Sequence, residues 1–330
     1  MKIGLIDPAL FNANGMPSPN LGDQIISRAV HRELRTIFGE ATEIASIASH
    51  AFPTPSSLGI LKGAQHIFVG GSNLLYFRSI LPASWKIGPF GLFAYRNLIL
   101  LGCGWGSYKL RPTLYGRKVS RLIFSPEYIH SLRDDYTRRL ANEGLKIPHT
   151  LNTACPTMWL FTPEFVQGLR RTKVKRCIFS LTDYAKSPVE DAALIAGLKR
   201  HYGTNLIFWP QGCGDMAYAR SLGYEGDVVE RSLASFLNLI QNDDQYDYVG
   251  TRLHAGILCI EHGIRSLIIA VDNRAKEIGA DTGLPVIMRG DTGALSEWIE
   301  GEAPHVIHIP LDSINAWRNQ FDASIKKETE

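Results

Sequence analysis

The chain predicts an α/β protein of two Rossmann-like domains, with mostly parallel sheets facing a cleft. Three observations carry this. Short apolar runs of strand character recur along the chain, helical patterns separate most of them, and 330 residues exceed the roughly 150 usual for one domain. Strand, helix, strand alternation implies right-handed crossovers and therefore parallel neighbours.

The elements follow in order. Lys2 to Asp7 reads as a buried strand, followed by an Asn-, Gly- and Pro-rich loop from Pro8 to Asn20. From Gly22 to Phe38, Ile25, Ile26, Ala29, Val30, Leu34, Ile37 and Phe38 recur at helical spacing. Residues 66–71 (HIFVGG) and 97–102 (NLILLG) are strand-like, and 127–132 (EYIHSL) more weakly so. A helix is expected over Asp134 to Asn142, with Gly144 as its stop. In the second half 175–181, 205–211, 246–250, 265–271 and 285–289 are strand candidates. Ser187-Pro188 opens a helix, the serine as N-cap and the proline in the first turn. The domain boundary falls near Pro163 to Val174, giving domains 1–165 and 166–310. A last helix over Leu311 to Lys326, within 311–330, is expected to pack back on the first domain.

Composition narrows the class. With 45% hydrophobic and 20% charged residues the chain is globular rather than disordered. The net charge of +3 reads as spread along the chain, so nucleic acid is not an expected partner. Five cysteines lie far apart with no C-x-x-C pair, which argues against a disulfide framework or a cysteine zinc site and for a reducing cytosol. Asp7 and Pro8 interrupt the N-terminal apolar stretch, so no signal peptide is expected. No window has the length and apolarity of a membrane span; Ile80 to Tyr95 comes nearest, and two prolines and two glycines break it.

In open α/β sheets ligands sit beyond the carboxyl ends of the strands, so the chemistry belongs in the strand-to-helix turns. Asn20-Leu21-Gly22-Asp23 precedes the first helix. Gly22 permits close approach, the helix start offers free N–H donors, and Asp23 can accept from a sugar hydroxyl. An ordinary capped turn fits equally well. Gly70-Gly71-Ser72-Asn73 ends a strand and can bring backbone amides to an anion, although paired glycines are also common punctuation. Gly102-Cys103-Gly104-Trp105-Gly106 fails the dinucleotide fingerprint because Ser107 holds its last place, and no P-loop exists.

The most suggestive turn is Gly250-Thr251-Arg252-Leu253-His254-Ala255-Gly256, between a strand and an apolar helix. Arginine suits bidentate binding of carboxylate or phosphate, and histidine can donate a proton near neutral pH. A helix start disfavours a charged imidazole until a bound dianion reverses the bias. Pairing of the arginine with a surface carboxylate and capping by the histidine is the plainer alternative. Arg133, in His130-Ser131-Leu132-Arg133-Asp134, would meet Arg252 across a cleft between facing domains; a local Arg–Asp pair is the alternative. No H-E-x-x-H, G-x-S-x-G or aspartate-rich motif appears, so neither a metal nor a serine nucleophile is expected.

These turns in this order resemble the polysaccharide pyruvyl transferase family. The resemblance rests on Asn20-Leu21-Gly22-Asp23, Gly70-Gly71, Ser131-Leu132-Arg133-Asp134 and Gly250-Thr251-Arg252-Leu253-His254-Ala255, then a helix, the strand LIIAV and Lys276. It spans roughly residues 1 to 290, and the R-L-H turn is its most specific element. The family implies a GT-B-like arrangement and transfer of pyruvate from phosphoenolpyruvate to a sugar, usually as a ketal bridging two hydroxyls, with no cofactor. It assigns phosphoenolpyruvate contacts to Arg252 and His254, and an arginine before a first-domain helix to Arg133. The chain departs from it at Ala154-Cys155-Pro156, where the family often has Asp-Pro.

The expected partners are phosphoenolpyruvate and a saccharide or lipid-linked oligosaccharide. Trp85, Phe90, Phe93 and Tyr95 lie in a long loop before residue 97. They suit sugar stacking or a peripheral membrane contact, and equally core cover or a homo-oligomer contact. Trp209 and Gln211 end a second-domain strand and are cleft candidates. Two rivals stand beside the transferase: a GT-B-like glycosyltransferase using a nucleotide sugar, and a non-catalytic relative that binds an anionic glycan.

Overall fold

The computed structural model describes residues 1–77, 85–243, 245–304 and 306–322. The chain divides into two compact units. The first comprises Met1–Ser18, Ile26–Trp159 and Ile309–Glu330; the second comprises Pro19–Ile25 and Leu160–His308.

The first unit holds β1 (Lys2–Asp7), α1 (Leu21–Phe38), β2 (Glu43–Ala48), α2 (Pro55–Ile60), β3 (Ile67–Gly70), α3 (Gly88–Ala94), β4 (Leu98–Leu101), α4 (Leu114–Ile123), β5 (His130–Leu132), α5 (Asp135–Arg139) and β6 (Thr150–Asn152). The opening residues of α1 are counted with the second unit. Four strands form a parallel sheet in the order β2-β1-β3-β4. β5 and β6 pair in parallel beside it, and Gly102 N–H donates to the Ser131 carbonyl at 3.0 Å. The strands are Ile- and Leu-rich and buried on both faces, as sheets covered by helices require.

β2 escapes the sequence reading because its isoleucines alternate with Ala and Ser (EIASIA), which dilutes the apolar run. The loop expected before residue 97 contains α3, which Pro89 enters in its first turn. The helix expected over Asp134 to Asn142 ends early as α5, capped by Asp134 Oδ1 accepting from Thr137 N–H, and continues as a π-turn over Leu140–Gly144.

The second unit holds α6 (Pro163–Gln167), β7 (Arg176–Ser180), α7 (Pro188–Tyr202), β8 (Leu206–Phe208), α8 (Asp215–Ser221), β9 (Asp227–Val228), α9 (Leu233–Asn242), β10 (Tyr246–Gly250), α10 (Leu253–Glu261), β11 (Ser266–Ala270), α11 (Asn273–Thr282), β12 (Val286–Met288) and α12 (Thr292–Glu300). Its six strands pair in parallel in the order β12-β11-β10-β7-β8-β9. The carboxyl ends of β10, β7 and β8 are therefore adjacent. Ser187 stands at the start of α7 but does not cap it: its hydroxyl donates to Glu190 Oε2 at 2.7 Å instead of accepting a helix N–H.

A final helix, α13 (Leu311–Asn319), belongs to the first unit. Trp317, fully buried, meets Phe68, Trp159 and Phe321 at 6.0, 5.6 and 5.2 Å between ring centroids. Residues 323–326 of the helix expected there lie outside the described residues. Among the described residues no helix is long and apolar enough to cross a membrane.

Candidate active site

The residues singled out in the sequence fall into two sets, one in each unit. In the second unit three adjacent strand ends converge on a single carboxylate, Asp215, at the start of α8 and fully buried. Its Oδ2 accepts from Gln211 N–H at 3.0 Å, Gly212 N–H at 2.6 Å and Arg252 Nε at 2.9 Å. Its Oδ1 accepts from Asp183 N–H at 3.0 Å and from Arg252 Nη2. Asp183 follows β7, Gln211 and Gly212 follow β8, and Arg252 follows β10, so one side chain ties the three turns together.

Arg252 is nearly buried and heavily engaged. Its Nε also donates to the Leu181 carbonyl at 3.1 Å, and Nη2 to Asp183 Oδ1 at 3.0 Å. These bonds occupy Nε and Nη2. The bidentate edge expected to grip a ligand carboxylate is therefore filled by Asp215, a buried partner where the sequence offered a surface one. Burial pushes the Asp215 carboxyl above its usual range despite the Arg252 charge. For Asp183, at the rim, burial also pushes upward, but its hydrogen bond with Asp215 and the Arg252 charge prevail and hold it below its usual range.

His254 is the second residue of α10 and nearly buried. No side chain caps that helix start, so its first-turn amides and positive dipole end are directed at the same strand end as Arg252. A second guanidinium stands close by. Arg274, in the first turn of α11, donates through Nε to Asp272 Oδ2 at 2.9 Å and through Nη2 to the Tyr184 hydroxyl. The Arg252 guanidinium carbon lies 5.1 Å from the centroid of the exposed Tyr184 ring, and that of Arg274 lies 5.9 Å from it. Sequence reasoning missed Asp183, Tyr184, Asp215 and Arg274. Asp183, Tyr184 and Arg274 sit within four residues of a strand end and Asp215 seven residues beyond β8, but none belongs to a dense motif.

Gln211 donates through Nε2 to Asn20 Oδ1 at 3.2 Å, and the same oxygen accepts from Gly22 N–H at 3.1 Å. A Cβ at Gly22 would come within 2.7 Å of Gln211 Nε2, so a side chain there would push that amide away from its place beside Asn20. Asp23 is buried in the first turn of α1. Trp209 does not face a ligand: it is fully buried and stacks on Phe236 with centroids 3.7 Å apart.

The first-unit set centres on Arg133, also buried. It donates through Nε to Asp134 Oδ2 at 3.2 Å and through Nη2 to Asn73 Oδ1 at 2.6 Å and the Trp105 carbonyl at 3.4 Å. This joins the Gly70-Gly71-Ser72-Asn73 turn to residues 102–106, and the Ser72 carbonyl accepts from Gly104 N–H at 2.8 Å. Ser72 has φ +61°, a strained value for a side-chain-bearing residue, and Gly71 and Gly102 are also left-handed at +75° and +67°. The Arg133 guanidinium lies so close to Gly104 that any Cβ there would collide with it.

The aromatic cluster divides. Trp85 and Tyr95 are buried with their rings 6.1 Å apart, so they serve the core and not sugar stacking. Phe90 and Phe93 are exposed on α3. Residues 80–84 of that apolar stretch lie outside the described residues. Among the described residues no group of three or more His, Cys, Asp or Glu is placed to hold a metal ion.

A family model described as polysaccharide pyruvyl transferase matches residues 20–273. Solved structures share the GT-B-like α/β fold at low identity. A UDP co-structure of S. aureus MnaA has a TM-score of 0.52 and 10% identity, covering 99% of this chain and 96% of that one. UDP-GlcNAc 2-epimerase from Methanocaldococcus jannaschii has a TM-score of 0.53 and 10% identity, with 98% and 100% covered. The Neisseria meningitidis UDP-GlcNAc 2-epimerase bound to UDP-GlcNAc has a TM-score of 0.50 and 12% identity, with 99% and 100% covered. No curated protein matches the chain significantly.

Proposed function

Because the chain belongs to the polysaccharide pyruvyl transferase family, we propose that it transfers pyruvate from phosphoenolpyruvate to a pair of sugar hydroxyls and releases phosphate. The observation that carries this reading is the turn after β10, where Arg252 is locked onto Asp215 and His254 occupies the uncapped first turn of α10. A compact anion with carboxylate and phosphate groups suits that turn: the helix amides and a pre-oriented arginine present hydrogen-bond donors with no reorganisation during reaction.

In the proposed reaction His254 protonates the methylene carbon of phosphoenolpyruvate. The C–H bond forms as the alkene electron pair leaves C2, which becomes cationic and is stabilised by its bridging oxygen. One sugar hydroxyl adds to C2 and gives up its proton. A second hydroxyl displaces phosphate with loss of its own proton, which closes the ketal. Of the two hydroxyl protons, one restores the imidazolium and the other leaves with the phosphate. Arg252 and Arg274 donate hydrogen bonds to the donor anion, while Asp183 and Asp215 hold Arg252 in one rotamer. Gln211 with Asn20, Gly22 and Asp23, and Arg133 with Gly70, Gly71, Ser72 and Asn73, are assigned to substrate binding. The acceptor is a saccharide or a lipid-linked oligosaccharide.

The test is phosphate release from phosphoenolpyruvate across a panel of oligosaccharides, with mass spectrometry of the product. An acceptor that gains the pyruvate ketal supports the proposal. Thermal protection by a nucleotide sugar and not by phosphoenolpyruvate, without ketal product, rejects it.

A further inference from the structure

We propose that the α3–α4 face of the first unit docks on an anionic lipid bilayer. The first observation is in the sequence. From Ile44 to Pro126, 83 residues contain nine Lys or Arg and no Asp or Glu. The other 247 residues hold 26 basic and 32 acidic residues. The small net charge is thus not evenly spread: one quarter of the chain is wholly basic and the remainder is acidic.

The second observation is what this segment exposes. α3 and α4 pack beside each other. α3 presents Phe90 and Phe93 to solvent, 47% and 79% exposed, and Lys86 and Arg96 flank it. α4 exposes Leu114, Lys118, Arg121 and Leu122, which share one helical face by their spacing of four, seven and eight residues. Leu114 is 75% exposed. Phe52, 47% exposed, lies against Gly88 at the start of α3. Bulky apolar side chains interleaved with cations and free of acids are the chemistry of an interfacial contact: rings and leucines enter the headgroup–acyl boundary, and Lys and Arg meet anionic headgroups. The nearest acids along the chain are Glu43, which pairs with Lys2, and Glu127; Arg117 Nε donates to the carbonyl of Gly144, the residue after Glu143.

A second basic run, Arg170 to Arg176, behaves differently. Arg170, Arg171 and Arg176 pair with Asp247, Glu302 and Asp243, so that surface is largely neutralised. It provides a control in the same chain. The proposal does not depend on the transfer reaction.

The test is co-sedimentation of the full chain with phosphatidylcholine vesicles, with or without roughly 30% phosphatidylglycerol. The expected result is binding to the anionic vesicles only, fading as salt is raised. F90S/F93S and K118E/R121E should each weaken it by about tenfold or more, and R171E/K175E should leave it unchanged. Equal binding to zwitterionic vesicles, no binding, or undiminished binding by either patch variant overturns the proposal. So does heparin binding that matches vesicle binding and ignores the phenylalanines, which marks a general polyanion surface. F90W serves as a check that does not depend on the double variants folding: its emission should shift to the blue on anionic vesicles alone, and an unmoved emission overturns the proposal.

Discussion

Asp215 and Arg252 form a side-on pair: Arg252 Nε donates to Asp215 Oδ2 at 2.9 Å while Nη2 donates to Oδ1, and both side chains are nearly or fully buried. The carboxylate also collects backbone N–H groups from two neighbouring strand ends, so it sets the shape of the site as well as the pose of the arginine. Asp215→Asn replaces an acceptor oxygen with donors facing donors and leaves a buried arginine short of charge. It should destabilise the second unit by about 3–5 kcal/mol and remove most turnover, read by denaturant unfolding and phosphate release. Wild-type stability with wild-type turnover would dismiss the pair as an organiser.

Gly104 and Gly106 make a matched comparison. A Cβ at Gly104 collides with the Arg133 guanidinium, whereas one at Gly106 finds its nearest neighbour, Leu110, at 3.7 Å. Gly104→Ala should therefore reproduce the activity loss of Arg133→Ala, while Gly106→Ala should keep near-normal turnover. Steady-state kinetics on the three variants decides. Equal behaviour of the two glycine variants would show that the pose of Arg133 is immaterial.

His130 gives the first unit a pH dependence of known sign. The ring is fully buried, Nδ1 accepts from Leu100 N–H at 3.2 Å, and Nε2 lies 2.9 Å from the Ser125 carbonyl it donates to. Burial lowers its pKa to about 4 from 6.5, so in acid the unfolded chain binds the proton first. Stability from this residue is complete above about pH 6.5 and is lost as pH falls toward 4, up to roughly 3 kcal/mol. Unfolding free energies across that range should fall for wild type and flatten for His130→Gln. Parallel profiles would remove the assignment.

Trp209 tests a negative. Its ring is a core plate on Phe236, so Trp209→Leu should cost about 2–4 kcal/mol of stability and leave acceptor KM unchanged. A raised KM at full stability would return it to the acceptor site.

The sheets were legible in the sequence because fully buried parallel strands concentrate Ile, Leu and Val into short runs, as in residues 97–102 and 265–271. β2 was not, because Ala and Ser intervene in its apolar pattern. At the site the dense turn around Arg252 and His254 stood out, but Asp183, Asp215 and Arg274 did not. Isolated charged residues near strand ends look like solvated turns until pairing in the sheet sets their turns side by side. Aromatic residues misled for the opposite reason. Composition cannot separate Trp85 and Tyr95, which are core, from Phe90 and Phe93, which face solvent a few residues away.

The measurement that bears most directly on the account is turnover of His254→Gln in deuterated water beside wild type. Wild type should place one solvent deuterium in the methyl group of the transferred pyruvate. The variant should bind phosphoenolpyruvate by calorimetry, unfold like wild type, and lose turnover by about 10² to 10⁴. A variant that folds and still releases phosphate and labelled ketal at the wild-type rate would contradict the central claim.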